Sequence, residues 1–187
     1  MKSHRVFVSI PLPDKEKQRL SIYQSKFLFD DSFRITPKED LHLTLVFVGE
    51  IFDEELTLLC QSVSNVCQKQ ESFDIFLSDI TYGPNSNEPR LVWIKGPANN
   101  FLENLKSDLE KELKEQGISY THTLKRFQPH VTIARIKKDY SKENLPLEKD
   151  IATNLKLVFS CHQISIMEST LSKTGSTYDI LQSYYLN

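Results

Sequence analysis

The chain has few cysteines, no long hydrophobic run and no surplus of positive charge, and each absence removes a class of function. Its 187 residues hold three cysteines, Cys60, Cys67 and Cys161. That odd number, with no CxxC pair, argues against a disulfide framework and points to a reduced, cytoplasmic protein. No apolar stretch approaches the roughly 20 residues of a membrane span. The opening Met1-Lys2-Ser3-His4-Arg5 leads into a short apolar run broken by Pro11 and Pro13, unlike a secretory signal. Lys and Arg total 23 against 25 Asp and Glu, for a net charge of −2. This argues against an extended nucleic-acid groove, which needs a strongly basic surface. A few local cations still suffice for one phosphate or for a nucleic-acid end. There is no HExxH, no His-x-His and no Walker A glycine loop, so zinc hydrolysis and nucleoside triphosphate hydrolysis lack their usual groups. No low-complexity segment or separable linker divides the chain, and the reading is of one domain over residues 1–187.

What is present centres on two stretches. Arg126-Phe127-Gln128-Pro129-His130-Val131-Thr132-Ile133-Ala134-Arg135 has an echo in Leu41-His42-Leu43-Thr44-Leu45-Val46-Phe47-Val48-Gly49. Both read His-x-Thr-x within β-branched, aliphatic and aromatic residues that alternate with period two, the pattern of a strand. In a strand, residues i and i+2 share a face, about 7 Å apart. His42 and Thr44 therefore point one way, as do His130 and Thr132, while Leu43, Leu45, Val131 and Ile133 point into a core. The two copies lie about half the chain apart, which suggests duplicated lobes about a pseudo-two-fold axis.

The other elements follow in order. A strand is predicted over Arg5–Ile10. A helix then carries Leu20, Tyr23, Phe27 and Leu28 on one stripe and ends at Asp30-Asp31. Arg34–Thr36 reads as a short strand, and the first motif strand follows. A second helix buries Leu56, Leu59, Val63 and Val66, with Asp53 as its cap. Ser72–Tyr82 reads as one strand, and Gly83–Pro89 as a turn-rich loop. Leu91–Lys95 is its hairpin partner, and Gly96-Pro97 closes the first half. A third helix from about Ala98 to Gln116 buries Phe101, Leu102, Leu105, Leu109 and Leu113, stopped by Gly117. After a loop through His122 and the second motif strand comes a polar stretch, 137–150. Leu155–Met167 reads as one long strand, Ser169–Ser176 as a loop and Tyr178–Leu186 as the last strand. Interleaved strands and helices in each half imply an α+β, two-lobed fold.

Two imidazoles on one cavity form an acid–base pair. A phosphodiester or cyclic phosphate needs a base to activate the attacking oxygen and an acid to protonate the leaving one. Histidine suits both tasks because it titrates near neutrality. Thr44 and Thr132 can donate hydrogen bonds to phosphate oxygens. Arg135 falls on the opposite strand face under regular alternation, and reaches a phosphate only if the strand ends or twists. The scheme needs no metal and no cofactor.

These residues resemble the 2H phosphoesterases, named for two His-x-Thr motifs. Within them the chain is most similar to the RNA 2′,3′-cyclic phosphodiesterases, historically called 2′-5′ RNA ligases. The resemblance runs through Arg5–Pro13, Leu41–Gly49, Leu91–Ile94, Phe127–Arg135 and the tail Met167–Leu171 with Gly175 and Tyr178. Gln128 stands where a basic residue is common, and Val48 where leucine is. The resemblance implies antiparallel sheets lining a central cleft with helices outside. It implies that His42 is the proton donor to the departing 3′ oxygen and His130 the proton acceptor from water. Thr44, Thr132 and Arg135 would hold the phosphate. The implied product is an RNA end bearing a 2′-phosphate, and the reverse reaction is 2′-5′ ligation. The implied partner is an RNA end or nucleotide, with no membrane, and the chain is expected to be a monomer. Phosphodiester hydrolysis of 2′-5′ oligonucleotides or small cyclic nucleotides stays open, as does a non-catalytic RNA-end binder. His122 reads as a rim residue, Lys125-Arg126 and Lys137-Lys138 as solvated charge with an RNA-approach surface as the alternative, and Phe7 and Phe47 as core with base stacking as the alternative. Tyr178 is a candidate to stack on a terminal base.

Overall fold

The computed structural model describes residues 2–27, 31–85, 87–121, 127–137, 140, 145–146, 155–172 and 175–187. Expectations for Leu28, His122, the Lys125-Arg126 pair, Lys138 and most of 137–150 lie outside these residues.

The elements in chain order are β1 (Ser3–Pro11), α1 (Asp14–Gln24), β2 (Phe33–Ile35), β3 (His42–Phe52), α2 (Asp53–Cys67), β4 (Phe73–Leu77), β5 (Asp79–Gly83), β6 (Leu91–Lys95), α3 (Asn100–Glu115), β7 (His130–Ile136), β8 (Leu157–Cys161), β9 (Gln163–Ser172) and β10 (Gly175–Tyr185). An eight-stranded sheet runs β10-β9-β1-β3-β7-β6-β5, with β2 added to β7, and β4 pairs with β8 in a separate two-stranded sheet. Every pairing is antiparallel. The large sheet is two lobes meeting at a seam. β3 and β7 are joined there by one register pair, Leu43 with Val131. Beyond it they part, and β2 fills the wedge alongside β7.

The lobes are not the two halves of the chain. β9 and β10 pair with β1 beside the first motif. The hairpin β5–β6 pairs with β7 beside the second, although it precedes Gly96 in sequence. The alternating runs read as single strands divide in two. Ser72–Tyr82 breaks at Ser78, where the chain leaves the small sheet for the large one, and Leu155–Met167 breaks at His162 in the same way. The parity of the alternation slips by one at each switch: buried Phe73, Ile75 and Leu77 give way to Ile80, and Leu157, Phe159 and Cys161 to Ile164. Two adjacent polar residues thus mark a break that reading each run as one strand passed over. The loop expected over Ser169–Ser176 is instead the inner end of a hairpin, with Ser172 opposite Gly175.

One face of the large sheet is covered. Leu43, Leu45, Val131, Ile133, Val92 and Ile94 are buried with Leu59, Val63, Leu105 and Leu109 of the helices in a single apolar core. α2 and α3 pack on each other and on the β3 side, and α1 packs against β7. The cap of α2 differs from expectation. The N-cap is Phe52, whose backbone N–H donates to Glu55 Oε2 at 3.0 Å, and Asp53 turns instead to His4. Phe101 is 64% exposed and stacks on Phe73 at 5.6 Å rather than entering the core. Gly117 ends α3 at φ +73°, as predicted.

Candidate active site

The uncovered face forms a cleft of about 690 Å³ along the seam, lined by His42, Thr44, His130, Thr132 and Arg135 among others. All five residues singled out from the sequence meet there. An antiparallel register centred on Leu43 and Val131 sets His42 toward Thr132, and Thr44 toward His130. The four side chains thus form a diagonal square about the seam.

Each histidine is held the same way. Nδ1 of His42 donates to the carbonyl of Asp40, and Nδ1 of His130 to the carbonyl of Gln128, both at 2.7 Å. With Nδ1–H committed to a carbonyl, Nε2 is the nitrogen left to exchange a proton. The Thr44 hydroxyl donates to Nε2 of His42 at 3.1 Å. An aromatic ring from the neighbouring strand backs each imidazole: Phe7 lies 4.9 Å from His42, and Trp93 lies 4.0 Å from His130. Trp93 fits only because residue 83 is glycine, since a Cβ there would sit 2.5 Å from its ring carbons. Burial is the main cause that lowers the pKa of His42 to about 4; the Asp40 carbonyl opposes it, and the charges of His130 and Arg135 add to it. Burial also lowers His130, again opposed by its carbonyl.

Arg135 reaches the cleft by an irregularity of β7. Trp93 pairs with Thr132 and Val92 with Ala134, so Ile133 is an extra residue. Such a bulge shifts the parity of the strand by one. Ile133 and Ala134 are both buried, and Arg135 turns to the face of His130 and Thr132. β3 repeats the device: Ser9 pairs with Thr44 and Val8 with Val46, leaving Leu45 extra. Phe47 therefore occupies the place in the first motif that Arg135 holds in the second. It lines the cleft at 54% exposure, which overturns the core reading and leaves the base-stacking alternative. Phe7 is 2% exposed, yet it is also a wall of the site.

Sequence reasoning gave no role to several lining residues. Trp93 is one. Arg34 is another, and it stands directly opposite Arg135 across β2 and β7. Tyr178 accepts a hydrogen bond from Arg135 Nη2 at 3.0 Å and sets its ring edge 5.2 Å from His42, contacts that its place in the tail did not foretell. The buried Asp40 carboxyl accepts from the Tyr178 backbone N–H, and its pKa is raised by burial above all. Strand register, which brings distant segments together, is their only common signal.

A model of the LigT-like phosphoesterase family matches residues 10–93, which include the first motif. The chain is also similar to curated RNA 2′,3′-cyclic phosphodiesterases over both motifs. The protein of Methanocaldococcus jannaschii is 29% identical across 96% of this chain and 99% of its own length. That of Thermus thermophilus is 28% identical across 97% and 90%. The chain is thus similar to the LigT-like phosphoesterases over its first half and to the cyclic phosphodiesterases over nearly its whole length. A solved protein of Thermus thermophilus superposes on this chain with a TM-score of 0.81 at 26% identity, covering 97% of each chain. E. coli LigT, solved with 3′-AMP, gives 0.77 at 20% identity over 100% and 99%, a likeness of fold.

Proposed function

We propose that this protein hydrolyses 2′,3′-cyclic phosphate ends of RNA to 2′-phosphates. The observation that carries the reading is the pair of Nε2 atoms, one from each lobe, facing a single cleft with both Nδ1 atoms held by backbone carbonyls. In the proposed reaction water attacks phosphorus and His130 takes its proton. The bond from phosphorus to O3′ breaks, and His42 protonates the departing oxygen. Thr44, Thr132 and Arg135 hold the non-bridging oxygens. With a 5′-hydroxyl in place of water as the attacking oxygen, the same forward steps, P–O5′ forming as P–O3′ breaks, join RNA ends through a 2′-5′ bond. The names of the Methanocaldococcus and Thermus relatives support the substrate class.

The test is a short RNA ending in a 2′,3′-cyclic phosphate, incubated in EDTA. Wild type should yield a 2′-phosphate, and His42→Ala and His130→Ala should each lose roughly 10²–10⁴-fold in rate. Equal conversion by all three proteins would remove the histidines from the mechanism. Retained RNA binding with no turnover in any of them would favour a binder.

We infer as well that residues 1–187 act as one two-lobed, monomeric domain in a reducing compartment. Strands from both ends of the chain build the first-motif lobe, so neither half closes a sheet alone, and the three thiols are free. Sedimentation at the mass of one chain and a single urea transition are expected; two transitions would divide the domain.

A further inference from the structure

The two ends of the cleft differ in chemistry. Among the described lining residues, the guanidinium groups are those of Arg34 and Arg135. Arg135 acts electrostatically on His42 and bonds Tyr178, which also packs on His42. Beyond Thr44 the equivalent place holds Phe47. The cations therefore gather at the His42 end, while the other end offers an aromatic ring.

Arg34 and Arg135 are direct cross-strand partners. Opposed residues in an antiparallel pair share a face with Cα atoms about 5 Å apart. Both line the same cleft, so two guanidinium groups face it side by side. Arg135 stands next to the histidines. Arg34 is one strand further out, about 5 Å away laterally, and exposed. A single cyclic phosphate carries one negative charge and engages the inner guanidinium. The outer one suits a second phosphate.

On the reading that the histidines act on an RNA cyclic phosphate, we propose that Arg34 binds the phosphodiester on the 5′ side of the terminal nucleotide. The leaving O3′ lies on the His42 side in that reaction, and the RNA body leaves the cleft over the same end. The enzyme is then selective for polynucleotide ends over mononucleosides.

The experiment compares adenosine 2′,3′-cyclic phosphate with the dinucleotide ApA bearing the same cyclic end, using wild type, Arg34→Gln and Arg34→Lys. Wild type should prefer the dinucleotide in kcat/KM by roughly ten- to a hundredfold, the range of a charged hydrogen bond. In Arg34→Gln the preference should fall toward one, and Arg34→Lys should retain part of it. The slope of log kcat/KM for the dinucleotide against log salt should become shallower by about 0.7 in Arg34→Gln, as for one lost single-strand phosphate contact. An unchanged preference ratio in Arg34→Gln, whether both rates fall together or neither falls, overturns the assignment. Hydrolysis of neither substrate by wild type overturns the proposed function itself.

Discussion

His42 and His130 are neutral at pH 7 in the free protein, because burial holds both below the ordinary imidazole range. In the proposed reaction His42 is the general acid and must be protonated when it acts, so its charge needs a source of stabilisation. A substrate phosphate between the rings would supply it, by placing negative charge beside an imidazolium that His130 and Arg135 otherwise disfavour. The pH optimum of kcat/KM, which reports the free enzyme, should therefore lie below about 6.5, and that of kcat should lie higher. Coincident optima would mean that the bound phosphate does not retune the pair. Stability obeys the same sign. A histidine with a lowered folded pKa favours the fold above its unfolded value near 6.5. That contribution is lost as pH falls from 6.5 toward about 4. Sulfate, which keeps its charge across this range, should raise Tm more at pH 5 than at pH 7.5, and His42→Asn should shrink the difference.

The decisive local element is the bulge in β7, held from an adjoining segment and a helix. The carbonyl of Ile133 accepts from the Thr36 backbone N–H at 3.0 Å and from Gln24 Nε2 of α1 at 2.8 Å. The same Gln24 nitrogen also donates to the Thr36 carbonyl at 2.7 Å. Gln24 is buried, so an apolar residue of equal length leaves two carbonyls short of a donor. Gln24→Met should cost about 1–3 kcal/mol in urea unfolding. If the clamp also aims Arg135, KM should rise more than kcat falls. An unaltered KM would show that β2 and β6 hold the bulge without it. Regular alternation puts Arg135 on the wrong face, and the extra residue corrects it. The sequence carries no sign of the bulge, because Ile133 and Ala134 are both ordinary strand residues.

At the scale of the molecule, the lobe of the first motif is closed by the end of the chain, and His4 helps to pin it. His4 is 7% exposed. Its Nδ1 donates to Glu168 of β9 at 2.8 Å, and its Nε2 to Asp53 at the start of α2 at 3.1 Å. Both nitrogens donate, so the ring is an imidazolium, and the bond to Asp53 and then that to Glu168 raise its pKa. A raised pKa favours the fold below the unfolded value and is lost as pH rises through the folded one. Tm should decline from pH 6 toward pH 9, and the decline should flatten in His4→Gln. An equal decline in both proteins would assign it to other groups. No role for His4 is legible in the sequence, since its partners lie 49 and 164 residues away.

Local pattern in the chain is enough to set the chemistry and most of the elements. Alternation around two His-x-Thr motifs is a local property, and it suffices to put each histidine and its threonine on one face of a strand opposite the core. The helices and most strands follow from local periodicity in the same way. Two things came from the folded molecule alone: which strands make each lobe, and which contacts further side chains make with the histidines. Arg34, Tyr178, Trp93 and Phe7 reach the cleft through cross-strand register. Register depends on pairing between segments far apart in the chain and on bulges that shift parity by one residue, and neither leaves a mark on local periodicity.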